Sequence, residues 1–253
     1  MTATPAWPPA SMPRLFVEQT LATDLTLTLD GAAANYLGNV MRLGPGDAVN
    51  LFDDVTGDWL ARVESVAKRS LTLRLAEHLR PREAVPDLWL VAAPIKKGRI
   101  DLVAEKACEL GVDRFVPAIT RRTVVERPKL ERLRAHMVEA AEQCGRNALP
   151  ILAEPQPLAA LLRDWPAGRA LFFADETGGA PALDAMRAAA DAGAGPAAIL
   201  IGPEGGFDPA ERAAIRALPQ ARGISLGPRI LRAETAAIAA VALWMAAAGD
   251  WQG

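Results

Sequence analysis

Two glycine-rich stretches near the C-terminus hold the residues best spaced for chemistry. Gly202, Pro203, Glu204, Gly205 and Gly206 follow the apolar run Ala198-Ile199-Leu200-Ile201 and precede Phe207-Asp208-Pro209-Ala210-Glu211. The last of these is a helix start: Asp208 caps, Pro209 suits the first helical position and Glu211 completes a capping box. Glycines between a buried strand and a helix N-terminus leave bare backbone that a ligand approaches closely. The phosphate-cradling patterns GxxxxGK[ST] and GxGxxG are both missing, and Glu204 would repel a phosphate, so the loop suits an uncharged or cationic ligand. A tight turn with no ligand is the plain alternative. The second stretch runs from Gly223-Ile224-Ser225-Leu226 through Gly227-Pro228-Arg229-Ile230-Leu231-Arg232 into an alanine-rich helix opened by Ala233-Glu234-Thr235. Arg232 and Glu234 in so apolar a neighbourhood are costly unless paired or engaged by a ligand. A glutamate there is also what an exposed helix start favours.

The remaining chemistry-bearing residues exclude more than they assign. His78 and His136 are the only histidines and Cys108 and Cys144 the only cysteines, so neither a zinc site nor a serine or cysteine triad is expected. Both cysteines lie in helical-looking segments and read as reduced, buried residues of a cytoplasmic protein. The net charge of -2 argues against a protein that coats nucleic acid through bulk charge, though not against one with a local basic face. Lys96, Lys97 and Arg99 form one cationic cluster; Arg121, Arg122, Arg127, Lys129, Arg132 and Arg134 form another, against Glu126 and Glu131. A solvated face is the common reading of such runs. The first cluster, however, directly follows a strand's carboxyl end, where phosphate contacts would position a nucleic acid.

The elements that must position these residues fall into two textures. Residues 14–80 are short alternating runs separated by Asp30-Gly31, Gly44-Pro45-Gly46-Asp47 and Thr56-Gly57-Asp58. They predict a small β-barrel, interrupted by a helical turn over 32–42. The 13 residues before it read as a flexible lead-in with neither a signal peptide nor an anchor, and 81–87 as a linker. Over 88–253 strands alternate with helices. Leu88-Trp89-Leu90-Val91-Ala92 is a strand; Ile100, Val103, Ala104, Ala107 and Leu110 keep helical spacing up to Gly111; Phe115-Val116 begins a strand; Leu133, Met137, Ala141 and Cys144 mark a helix; and strands are expected at 170–174, 198–201 and 223–226. This pattern predicts an α/β fold with a mostly parallel sheet, whose ligands bind beyond the strands' carboxyl ends.

Taken together, IGPEGGFDPAE and SLGPRILRAETA resemble the C-terminal signature of the SPOUT methyltransferases. More narrowly, the chain resembles the bacterial ribosomal RNA small subunit methyltransferase E family. Lys106-Ala107-Cys108-Glu109-Leu110-Gly111-Val112 is similar to that family's K-x-x-E-L-G-V segment, and Glu142-Gln143-Cys144-Gly145-Arg146 to its E-Q-x-x-R segment. The likeness covers most of 88–247. It is looser over Arg14-Leu15-Phe16-Val17 and Tyr36 to Leu43, where Asn35 and Tyr36 stand in place of a frequent histidine.

The resemblance implies a PUA-like, RNA-binding β-barrel over 14–80 and a SPOUT-type α/β domain with a deep trefoil knot over 88–253. It implies SAM-dependent methylation of N3 of a uridine in 16S rRNA, by a homodimer acting on that rRNA within the 30S subunit. S-adenosyl-L-methionine is expected to be bound through Ala174, Glu176, Ile201, Gly202, Pro203, Glu204, Gly205, Gly206, Leu226, Gly227, Ile230, Leu231 and Thr235. Catalytic candidates are Arg232 for charge stabilisation, Glu234 (or Glu204) for proton acceptance and Arg146 for holding the base. RNA-binding candidates are Arg14, Arg42, Lys96, Lys97, Arg99, Arg121, Arg122 and Asn147. A ribose 2'-O-methyltransferase or a non-catalytic RNA-binding protein on the same scaffold are the rivals.

Overall fold

Alternation of leucine with threonine and charge folds the N-terminal part as read. The computed structural model describes residues 12–193 and 195–252, so most of the proposed lead-in lies outside the described residues. Strands β1 (Arg14–Phe16), β2 (Thr26–Asp30), β3 (Ala48–Asp53), β4 (Gly57–Val66) and β5 (Ser70–Arg80) form a sheet in the order β1-β3-β4-β5-β2. Only the β1–β3 pair is parallel. Register shifts along β4 bend the sheet in the manner of β-bulges, giving a half-barrel. Its concave face buries Val49, Leu51, Ala61, Val63, Leu71, Leu73 and Leu75. The predicted helical turn is present as α1 (Gly31–Asn35), continued by a π-helical turn over Tyr36–Val40.

The second texture is an almost continuous β/α alternation. It comprises β6 (Leu88–Ala92), α2 (Arg99–Glu109), β7 (Arg114–Ile119), α3 (Leu130–Cys144), β8 (Ile151–Leu152), β9 (Gln156–Pro157) and α4 (Leu158–Arg163). It continues with β10 (Ala170–Ala174), β11 (Ala180–Pro181), α5 (Ala182–Asp191), β12 (Ala197–Ile201), α6 (Pro209–Ala217), β13 (Ala221–Ser225) and α7 (Ala233–Ala248). The sheet is parallel throughout, in the order β11-β13-β10-β12-β6-β7-β8. All five residues of β12 are buried, as expected of a strand covered on both faces. The capping box at Asp208 and Glu211 forms as read, with Pro209 in the first turn.

The chain divides by its contacts into one unit ending at Ala84 and including Ala141–Leu149, and a second formed by Val85–Ala140 and Pro150 onward. The sequence reading placed 141–149 wholly within the second domain. The reason for the difference is a buried carboxylate. Asp58, 1% exposed, accepts from Arg14 at 2.9 Å, Arg80 at 2.5 Å and Asn147 at 2.7 Å. Arg14 also donates to the carbonyls of Ala141 and Arg146, and Arg80 to that of Gly145. Cys108 is buried as expected, but Cys144, in the last position of α3, is exposed. Among the described residues, no helix is long and apolar enough to cross a membrane.

Candidate functional site

Strands β13, β10 and β12 are neighbours in the sheet, so the loops leaving their carboxyl ends converge. They enclose a cavity of about 370 Å³, lined from the first loop by Ala174, Asp175, Glu176 and Gly178. The second loop contributes 201–204, Gly206 and Phe207, and the third contributes 224–233, with Ala236 beyond. Of the thirteen residues expected to hold a cofactor, eleven line this cavity; Gly205 and Thr235 do not. Gly178, Phe207, Ile224, Ser225 and Ala236 also line it and lie outside the loops expected from sequence. The volume lies within the range of small-molecule sites, roughly 300–1,000 Å³.

The first loop is fixed by charge. Asp175 is buried; it accepts from the amide and hydroxyl of Thr177 at 3.0 and 2.7 Å and from Arg216 at 2.5 Å. Arg212 lies 3.6 Å from Asp175 and 2.7 Å from Glu176. The two arginines are four apart on α6 and therefore share a face. Burial pushes the Asp175 carboxyl up, but the Thr177 and Arg216 hydrogen bonds outweigh it and hold the pKa below the ordinary value.

The second loop turns at Gly206, whose φ of +67° falls in the left-handed region. A Cβ there would stand 2.2 Å from Glu176 Oε1, so the end of that exposed side chain would have to move; the positive φ is what favours glycine. The loop is braced from outside: Arg122 donates to the Gly205 carbonyl at 2.6 Å, and Arg121 pairs with Asp208 at 3.0 Å. The Arg121 amide also donates to Glu211. These two arginines, read from sequence as RNA contacts, support the cavity wall.

The carboxylates divide between wall and interior. Arg99 lies 3.5 Å from Glu204 and 3.6 Å from Glu234, tying the second loop to the first turn of α7. Glu204 lines the cavity and Glu234 does not. Glu234 is buried with no hydrogen-bond partner on Oε2. Arg232 lines the cavity, is exposed and precedes α7 as its N-cap residue. Among the described residues no carboxylate pairs with Arg232, so its guanidinium is available to a ligand.

Several sequence candidates lie elsewhere. Asn147 is fully buried: its Nδ2 donates to Asp58 and to the Pro81 carbonyl, and its Oδ1 accepts from the Glu83 amide. Arg146 is buried with its Nε on the Ala148 carbonyl. The Arg14 side chain, 7% exposed, is held by Asp58. These three residues serve the anchoring of 141–149 rather than the cavity, because burial leaves their polar groups bonded internally. Arg42, Lys96 and Lys97 are exposed.

Comparison with known proteins connects this geometry to a family. The model of an RNA methyltransferase domain matches residues 81–245, and that of an RNA methyltransferase PUA domain matches 29–76. The ribosomal RNA small subunit methyltransferase E of Rickettsia conorii is 30% identical over 230 residues, covering 90% of this chain and 93% of that protein. The chain belongs to the ribosomal RNA small subunit methyltransferase E family. The family member from Mycobacterium tuberculosis is also 30% identical, over 93% of this chain and 95% of its own. A Neisseria gonorrhoeae member solved with S-adenosyl methionine superposes with a TM-score of 0.83 at 26% identity, covering 95% of this chain and all of that one. A methyltransferase from Legionella pneumophila, solved with bound SAM, gives the same TM-score at 29% identity over 94% and 99%. The fold is therefore that of a SPOUT-like α/β methyltransferase preceded by a PUA domain.

Proposed function

We propose that this protein transfers a methyl group from SAM to N3 of a uridine in the small-subunit ribosomal RNA. The observation that carries the reading is the backbone-lined cavity of 174–178, 201–207 and 224–233, with an unpaired arginine, Arg232, on its wall. The fit to SAM rests on that wall. Glycine and small residues expose amides and carbonyls for an adenosine, Gly206 turns the loop through a positive φ, and Glu176 and Glu204, paired with Arg212 and Arg99, bring carboxylates to the wall. When bound, the cofactor supplies a methyl group activated by a sulfonium charge.

The residues of the chain do the rest. Uracil N3 attacks only once its proton has left, and the charge then spreads to the neighbouring carbonyls. Arg232 faces that charge with a planar fork of donors. Glu204 is the better placed of the two carboxylates to accept the N3 proton, since it lines the cavity and Glu234 does not, although Arg99 pairs with both. With Arg232 on the uracil carbonyls and Glu204 holding the proton, N3 would be free to accept the methyl group that a bound cofactor supplies.

The same proposal includes the trefoil knot, formed where the three loops meet, and a second copy of the chain. Ile230, 94% exposed on the cavity's third loop, is a residue that such a copy would cover. The proposed reaction belongs to the cytoplasm, on rRNA or the 30S subunit. The test is to digest rRNA methylated by the protein to nucleosides and locate the methyl by mass spectrometry. 3-Methyluridine is expected; a methyl on ribose would replace this reading with the 2'-O rival.

A further inference from the structure

The charged residues that line the cofactor cavity are Asp175, Glu176, Glu204, Arg229 and Arg232. Its acids and its cations stand differently. Asp175 is held by Arg216, Glu176 by Arg212 and Glu204 by Arg99. Each wall carboxylate thus pairs with an arginine that does not itself line the cavity. Arg229 and Arg232 both belong to the third loop and both are exposed. Among the described residues no carboxylate pairs with either of them.

The base chemistry uses only one of these two cations. Arg232 stands two residues before Glu234, and Arg99 joins Glu234 to Glu204 at 3.6 and 3.5 Å. Arg232 therefore belongs beside the proton acceptor, where charge develops on the uracil. Arg229, three residues earlier, is a second cation for which that chemistry has no task.

SAM carries the group that matches it. The cofactor is positive at its sulfonium and ammonium groups and negative only at its methionine carboxylate. Backbone amides can hold an adenosine through neutral hydrogen bonds, but they bring no net charge to a carboxylate. A carboxylate placed against a wall that already holds three others is repelled unless a cation meets it. A guanidinium meets it with two parallel N–H donors. The backbone before Arg229 is also set in advance: Gly227 turns through a φ of +109°, and the ring of Pro228 fixes the φ that follows.

We infer that Arg229 recognises the methionine carboxylate of SAM and so selects the complete cofactor over analogues that lack that group. The inference rests on the reading of this cavity as a methyl-transfer site in which Arg232 serves the uracil.

Calorimetry of the full-length protein with SAM and with decarboxylated SAM, which lacks only the carboxylate, tests it. Wild type is expected to bind SAM roughly ten- to a hundredfold more tightly, the worth of a hydrogen bond to a charged group. Arg229→Ala should remove most of that preference by weakening SAM, with the decarboxylated analogue staying within about twofold. Retained binding of the analogue also reports folding. Arg229→Lys, which keeps the charge without the fork, should recover part of the preference. Arg232→Ala, which removes the same charge from the same loop, should leave the preference within about twofold.

Equal losses of both ligands in Arg229→Ala would reduce Arg229 to a loop-shaping residue and overturn the inference. Collapse of the preference in Arg232→Ala instead would exchange the two roles and overturn it as well. So would unchanged SAM binding in Arg229→Ala with a raised KM for rRNA, the mark of a phosphate contact. A wild type indifferent to the carboxylate would overturn the inference, while 3-methyluridine in its rRNA product would keep the methyltransferase reading. The expected preference together with a methyl on ribose would uphold Arg229 and overturn only the uracil reading.

Discussion

Arg216 reaches the buried carboxylate of Asp175 at 2.5 Å and donates to Thr177 Oγ1 at 2.9 Å. One helix side chain thereby holds the first loop of the cofactor cavity at two points. Because the folded pKa of Asp175 is depressed, its contribution is fully present above the ordinary value of 3.8. It is lost as the pH falls through the lower, folded value. Removing Arg216 takes away one of the hydrogen bonds that depress it. Arg216→Ala should therefore move the acid-unfolding midpoint to higher pH in a fluorescence titration, and Arg216→Lys should recover part of the shift. An unchanged midpoint in Arg216→Ala would show that Thr177 and Arg212 suffice to sustain the ionised carboxylate.

The adjacent glycines of the second loop should behave differently. Gly206 has a positive φ, and a Cβ there would displace the exposed end of the Glu176 side chain. The left-handed backbone alone costs a non-glycine residue about 1–2 kcal/mol, so Gly206→Ala should raise the KM for SAM by roughly five- to thirtyfold. A Cβ on Gly205 would meet only Arg122 Cδ, at an ordinary 3.5 Å, so Gly205→Ala should stay within about twofold. Equal effects would mean that the left-handed backbone at Gly206 is not what requires glycine there.

Asp58 is the centre of the first unit's polar interior. Asp58→Ala leaves the buried Arg14 guanidinium without its carboxylate. Breaking a buried pair from one side costs roughly 3–5 kcal/mol, which denaturant unfolding would report. A loss below about 1 kcal/mol would show that the carbonyls of Ala141 and Arg146 suffice to hold Arg14.

Arg232 is exposed and makes no side-chain cap, so Arg232→Ala should alter stability by no more than about 0.5 kcal/mol. SAM affinity should change only a few-fold, whereas methyl transfer should fall by roughly 10²–10³, the usual cost of removing a donor to developing charge. Transfer near the wild-type rate would reduce Arg232 to a wall residue.

Local patterns in the sequence carried much of this fold. The apolar runs at 88–92, 170–174 and 198–201 are strands because they are buried on both faces. Asp208, Pro209 and Glu211 start a helix through contacts three residues apart. What sequence did not show depends on distant pairing. Arg14 finds Asp58 44 residues away, and Arg216 finds Asp175 41 away; no periodicity encodes either. For the same reason Asn147 and Arg146 looked available to RNA, although long-range bonds to the half-barrel bury them. The short helix α4 and the alanine-rich α5 lacked distinct apolar spacing and were not read. The cavity was legible as loops after strands; its bracing by Arg121, Arg122, Arg212 and Arg216 was not, since a charge run looks the same whether solvated or paired.

The most direct test of the account is transfer of a deuterium-labelled methyl group from SAM to small-subunit rRNA, naked or in 30S particles lacking the modification, by the purified protein. The account predicts that the label appears in the rRNA as 3-methyluridine and that the cofactor is converted to S-adenosylhomocysteine in equal amount. SAM binding without any label in either RNA substrate would contradict it.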